Sequence, residues 1–367
     1  MSLLRTLATA LNARGDLHDG ERAARRDRRT NWVVEPAKGF RPDEGFTTLF
    51  VTACDDLLLN VRIYGSRTNR ALPVVCLPGF GRTAADFHTL ATALAADPAG
   101  PRFVVALDYR GHGQSEYDSN PDNYGLHRDA RDLWSVVRAL NLAPAVFVGS
   151  SHGGFLALML ARSQPHAIAG LVLNDVGPVI EPRVLLQIKG YLGKLPIPRD
   201  FKEGGELLRK VFGARFPGLA PHDWTAFAER TWREHRGVLA PDYDVRLARA
   251  LDTNLEHPPP TLWDAFEALA SVPLMVIRGV HSTMLTAPTL DGMLARRDEI
   301  DMVVVPDQGH APLLEDPKLV RRIAAFVASC DAADGARWKS SAPTDRPPVV
   351  QQARVDRLQE RRLAQGG

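Results

Sequence analysis

Cysteine is scarce in this sequence: 367 residues contain three, Cys54, Cys76 and Cys330, far apart and odd in number. That excludes a disulfide framework, and without a CxxC pair there is no thiolate grip for zinc. Charge of one sign is missing as well. Forty-five basic side chains against 43 acidic ones leave a formal net charge of +2. This argues against a chain-wide role on nucleic acid or a membrane surface, since both rest on a basic excess facing phosphates. Long hydrophobic runs are also lacking. No stretch of about 18 apolar residues reads as a membrane span, and the N-terminus has no continuous apolar core of a secretory signal. HExxH, GxGxxG and Walker patterns are absent, so no metal or nucleotide cofactor is implied. The expectation is a cytoplasmic protein acting on a small molecule, with no nucleic-acid partner and no membrane span.

What is there is a composition that builds a sizeable core, 45% hydrophobic and 24% charged. Its two ends read differently from its middle. Residues 1–45 predict a basic helical extension: Leu3 to Leu11 has helical spacing, and Arg22, Arg25, Arg26, Arg28 and Arg29 follow. Asp16, Asp19, Glu21 and Asp27 are interspersed, which favours a solvated helix over an anion-binding arm or a transit peptide. Residues 331–367, with Ser340, Ser341, Pro343, Pro347 and Pro348, predict a mobile tail. Too few apolar side chains are present there to offset the entropy of ordering.

Between these ends, short apolar runs alternate with helical periodicity. Phe46 to Ala53 and Leu57 to Tyr64 predict a hairpin through Asp55-Asp56. Apolar runs follow at Val74 to Leu77, Phe103 to Leu107, Ala145 to Val148, Leu171 to Leu173, Leu274 to Ile277 and Met302 to Val305. Such runs are what strands covered on both faces of a parallel sheet look like. The predicted fold is α/β, doubly wound, with its core in residues 46–179 and 271–330. From 180 to 270 there is no strand signal, only amphipathic pieces such as Gly205 to Phe212 and Trp224 to Arg236. This interval predicts a helical cap inserted after the sixth strand, over the carboxyl ends of the strands where such sheets bind ligands.

One motif carries chemistry. Val146-Phe147-Val148-Gly149-Ser150-Ser151-His152-Gly153 holds G-x-S-x-G directly after an apolar strand and at the opening of an apolar helix. A sharp turn in that setting presents the serine hydroxyl, and glycines are needed where side chains would strike the adjoining strand and helix. Ser151 is the candidate nucleophile. A hydroxyl needs a base, and His310 is the candidate, in a loop after the last predicted strand and at the same sheet edge. His112 and His281 are weaker candidates. The oxyanion of a tetrahedral intermediate needs preorganised donors, for which the sequence offers the N–H of His152 and the N–H of Phe80 in Leu77-Pro78-Gly79-Phe80-Gly81.

These motifs resemble the α/β-hydrolase superfamily, in its lidded, lipase-like and lactonase-like branch. The likeness runs from about Phe46 to Ala328 and rests on Pro78-Gly79-Phe80, the turn Asp108-Tyr109-Arg110-Gly111-His112-Gly113-Gln114-Ser115, the Ser151 elbow and Gly309-His310. It implies a mostly parallel eight-stranded sheet with helices on both faces. The turn at Arg110 to Ser115 has a structural role in the family. The resemblance also exposes a departure. The segment that in relatives resembles R-G-x-x-S-D-x-L reads Arg278-Gly279-Val280-His281-Ser282-Thr283-Met284-Leu285, so Thr283 stands where an aspartate is expected. Some relatives carry their acid at the end of the sixth strand, where this chain has Asp175. Asp307, Asp291 or no acid at all are the alternatives. The expected activity is hydrolysis of a carboxylic ester or lactone of a small to medium apolar substrate through a Ser151 acyl-enzyme. A C–C bond hydrolase of a dienoate and a ligand-sensing relative with weak turnover are the other readings. A serine at the elbow disfavours dehalogenase and epoxide hydrolase chemistry, which resembles an aspartate nucleophile. The aromatics of residues 180–270, Tyr191, Trp224, Phe227, Trp232, Tyr243, Trp263 and Phe266, are expected mostly to pack, with a few lining an apolar pocket.

Overall fold

A computed structural model describes residues 45–68, 71–98, 100–256, 259–297 and 299–334. Residues 1–44 and 335–367, which contain most of the predicted extension and tail, lie outside the described residues. A central sheet of eight strands has the order β1 (Thr47–Thr52), β2 (Leu58–Tyr64), β4 (Val104–Leu107), β3 (Val74–Leu77), β5 (Ala145–Ser150), β6 (Ile168–Asn174), β9 (Leu274–Gly279), β10 (Asp301–Val305). Strand β2 runs antiparallel to both β1 and β4, and all other pairings are parallel. The mixed edge is the predicted hairpin; the parallel body follows from the helical crossovers, which return each strand in the same direction.

Alternation along the strands explains the uninterrupted apolar runs. Val75, Leu77, Ala145 and Phe147 point into one core, with α2 (Leu126–Ala139), α3 (His152–Ser163), α8 (Trp263–Ala268) and α9 (Ala287–Leu294). Val74, Cys76, Val146 and Val148 point into the other, with α1 (His88–Ala95) and α10 (Pro317–Asp334). Both faces are covered, so the inner strands β3 and β4 are apolar at every position. Each fully buried Leu, Val or Phe contributes about 1.5–3 kcal/mol from area removed from water. The contact is close at α10: a Cβ at Gly170 of β6 would lie 2.4 Å from Cys330 Sγ. All three cysteines are free.

Three boundaries differ from expectation. Helix α10 continues to Asp334, and Asp331 is tied to Arg102 at 2.5 Å and accepts the Leu72 N–H, so the first residues assigned to the tail are anchored helix. At the other end of the insertion, α8 packs against α3, and Leu262, Ala265, Phe266 and Leu269 join the main core rather than the cap. The insertion is also not wholly helical. It contains α4 (Pro182–Tyr191), α5 (Phe201–Phe212), α6 (Pro221–Glu229) and α7 (Ala248–Glu256), but between the last two lies a hairpin, β7 (Trp232–His235) with β8 (Val238–Pro241). The predicted helix through Arg236 stops at Glu229 because Arg236 and Gly237 turn with φ of 51° and 77°, the left-handed pair that a two-residue hairpin loop requires.

The insertion is stitched to the sheet edge by backbone pairing. Gly113 N–H donates to the Asp242 carbonyl, Asp244 N–H donates to the Gly111 carbonyl, and His112 and Tyr243 form an isolated bridge. Asp244 is buried and takes the Tyr124 hydroxyl at 2.6 Å and three contacts from Arg246.

Candidate active site

Strand β5 ends and α3 begins at Ser151, which sits between them with φ 51° and ψ −116°. A non-glycine residue holds that conformation only where its surroundings enforce it. The surroundings here are two glycines. A Cβ at Gly149 would lie 2.4 Å from the Gly154 nitrogen, and one at Gly153 would lie 2.1 Å from the Leu77 carbonyl oxygen of β3. The turn therefore closes only with glycine at both places, and it lifts the Ser151 side chain to the carboxyl edge of the sheet.

The loop after β10 brings His310 to that edge, with its Nε2 2.8 Å from Ser151 Oγ and its Nδ1 2.8 Å from Asp175 Oδ2. Asp175 follows β6 directly, is wholly buried and also has a positive φ, 58°. With Nδ1–H donating to the carboxylate, Nε2 is left as the acceptor for the serine hydroxyl. The other acids named from the sequence are elsewhere: Asp307 lies against Gly218, and Asp291 is exposed on the helix Ala287–Leu294. Thr283, at the family's acid position, is exposed and hydrogen-bonds Gln187 at 3.2 Å. Ser282, which sequence reasoning passed over, donates from Oγ to Asp175 Oδ2 at 2.5 Å and accepts the Met284 N–H. Its signal was the serine of the R-G-x-x-S segment, which keeps its place although the following aspartate is a threonine.

Across from Ser151 runs the loop after β3. Tyr109 hydroxyl donates to the Pro78 carbonyl, Arg82 N–H to the Gly79 carbonyl, and Gly81 N–H to Nε2 of buried His112. His112 in turn sits 2.9 Å from the Arg110 carbonyl through Nδ1. Burial lowers its pKa, which keeps the ring in the neutral form that can both donate and accept here. Among the described residues neither the Phe80 nor the His152 amide has a hydrogen-bond acceptor. The His152 ring is turned away, paired at 2.9 Å with buried Asp129.

A pocket with about 1100 Å³ of empty space, partly open to solvent, lies over Ser151 and His310. Of the insertion's aromatics named from sequence, Tyr191, Phe227 and Tyr243 line it. Trp224 and Trp232 pack inside the insertion, and Trp263 and Phe266 belong to the main core. Phe212, Phe216 and a set of charged side chains also line it, none of them marked by a motif.

The sheet order, the strained serine between strand and helix, and the histidine loop after the last strand define an α/β hydrolase. The chain belongs to the alpha/beta hydrolase family, whose model matches residues 74–323. It is 32% identical to the 3-hydroxybutyrate-oligomer hydrolase of Cupriavidus necator, over 66% of this chain and 84% of that protein. It is 25% identical to a 2-(acetamidomethylene)succinate hydrolase of Mesorhizobium japonicum, over 56% of this chain and 71% of the relative. Among solved structures, an alpha/beta hydrolase from Novosphingobium aromaticivorans is similar with a TM-score of 0.72 and 33% identity, covering 77% of this chain and 98% of that one. No helix among the described residues is long and apolar enough to cross a membrane.

Proposed function

We propose that the protein is a serine hydrolase that cleaves a carboxylic ester or lactone of a small to medium substrate. The observation that carries this reading is the continuous hydrogen-bonded line from Ser151 Oγ through both nitrogens of His310 to Asp175. In the proposed reaction His310 Nε2 takes the Ser151 proton as Oγ attacks the scissile carbonyl carbon. The Phe80 and His152 N–H groups receive the oxyanion. Asp175 holds the tautomer and stabilises the imidazolium, which then gives its proton to the leaving alkoxide. Water, activated by the same histidine, releases the acid from the Ser151 ester.

The insertion serves in this reading as a lid whose Tyr191, Phe212 and Phe227 take the acyl or alkyl portion out of water. The name of the Cupriavidus relative makes a short oligomer of 3-hydroxybutyrate the first substrate to offer. Thr283, the departure that favoured a ligand-sensing reading, hydrogen-bonds Gln187, and the hydrolase reading is supported by the Asp175 carboxylate 2.8 Å from His310 Nδ1. A fluorophosphonate probe is expected to label Ser151 in the folded protein, with labelling lost in Ser151→Ala. Aryl esters of short acids are expected to turn over in parallel. A folded protein that neither labels nor hydrolyses any ester of a broad panel would overturn the proposal.

A further inference from the structure

The pocket over Ser151 is not uniformly apolar. Five charged side chains line it, Arg82, Asp86, Arg215, Arg230 and Glu315, so three guanidinium groups face two carboxylates. Their pairing is uneven. Arg82 is fully engaged: Nε and Nη2 grip the two oxygens of Asp86 at 2.7 and 2.5 Å, and Nη1 donates to Thr231 Oγ1 at 2.8 Å. Arg230 is not. Its Nη1 lies 2.9 Å from Glu315 and its Nε lies 3.6 Å from Asp86, beyond hydrogen-bond range. Its Nε and Nη2 are both buried with no acceptor.

Nε and Nη2 form one edge of the guanidinium, with parallel N–H groups spaced to meet the two oxygens of a carboxylate. In Arg82 that edge is filled by Asp86. In Arg230 the same edge has no acceptor within hydrogen-bond range, Asp86 standing 3.6 Å from Nε, and buried donors left without acceptors are costly. Arg215 adds charge without an acid of its own among the described residues; its guanidinium lies over the Phe212 ring at 5.6 Å. Its backbone is pressed against the loop of the candidate base, since a Cβ at Gly309 would lie 2.8 Å from Arg215 Cβ. Burial raises the pKa of Glu315, and the charge of Arg230 beside it acts in the opposite direction.

We propose that the pocket receives an anionic substrate: an ester whose acyl or alkyl portion ends in a free carboxylate, bound by the Nε and Nη2 edge of Arg230 with Arg215 supplying the second positive charge. The inference rests on the hydrolase reading above and narrows it to carboxylate-bearing esters. The apolar walls hold the chain between the two ends, and the arginines fix which acyl lengths place the carbonyl at Ser151.

The test compares two chromogenic esters of equal length, p-nitrophenyl hexanoate and the mono-p-nitrophenyl ester of adipic acid. The wild type is expected to favour the acidic ester in kcat/KM by about tenfold or more. Arg230→Met and Arg215→Met are each expected to lower the ratio of acidic to neutral kcat/KM by at least about tenfold, mainly through KM. Arg215→Lys is expected to recover part of it. Adipate itself is expected to bind Ser151→Ala protein by calorimetry, and less tightly when Arg230→Met is added. Preference of the wild type for the neutral ester, or an unchanged ratio in both arginine variants, overturns the proposal. If neither ester turns over, the hydrolase reading falls instead, and adipate binding with its loss in Arg230→Met still reads the subsite.

Discussion

Ser151, His310 and Asp175 come from three separate strand ends, and each is held by something other than itself. The glycines on either side of Ser151 permit its positive φ, and Asp175 shares one oxygen between His310 and Ser282. As candidates both were legible, Ser151 because strand, tight turn and helix leave a local pattern and His310 because its loop follows the last apolar run. The acid was not fixed by pattern, since Asp175, Asp307 and Asp291 each offered a carboxylate, and only the path of β6 beside β9 brings Asp175 to the imidazole. A substitution separates them. Asp175→Asn is expected to lower kcat for an aryl ester by about 10³–10⁴-fold, because the amide cannot hold the required tautomer or the imidazolium charge. Asp307→Asn is expected to stay within about twofold. Steady-state kinetics on the two purified variants checks both, and near-wild-type kcat in Asp175→Asn would remove it from the mechanism.

At the scale of elements, the insertion is joined to the turn after β4 by two backbone hydrogen bonds and by the group around Asp244. Its helices carry their own small cores: Val184, Ile188, Leu247 and Leu251 in one, Leu208, Trp224 and Trp232 in the other. The periodicity of α4 and α5 was readable, whereas the hairpin between α6 and α7 was not, because four-residue strands are too short to declare a period and Trp232 satisfied a helical spacing equally well. The seam gives a prediction. Asp244→Ala removes the acceptor of the Tyr124 hydroxyl and the carboxylate facing Arg246, which keeps only the Asp118 and Ser119 carbonyls, and hydrogen bonds to a charged group are worth about 1.5–3 kcal/mol. Amide exchange is expected to accelerate across residues 182–256 while the strands of the main sheet stay protected. Uniform acceleration of the whole chain would show instead that the insertion does not open as a unit.

For the whole molecule, pH acts through His112, buried beneath the loop after β3 with the Phe80 and Tyr109 rings against it and the Arg110 carbonyl on Nδ1. Its pKa is lowered by burial, so the unfolded chain takes up the proton first as pH falls below its ordinary value of 6.5. The stability that neutral His112 contributes is therefore full above that pH and is lost as pH falls toward the folded-state pKa. Urea unfolding at pH 7.5 and 5.0 is expected to show this decline, and His112→Asn is expected to make it shallower; an unchanged slope in the variant would assign the effect elsewhere. The order of strands and helices in the core around the main sheet, the candidate nucleophile and the candidate base were legible in the sequence alone. Each is written in local period or in a turn whose glycines admit no alternative. The contact of Asp175 with His310, the hairpin within the insertion and the unsatisfied Nε and Nη2 of Arg230 were decided by tertiary structure. They depend on which distant segments meet, and a buried charge carries no mark in sequence of whether its partner is present.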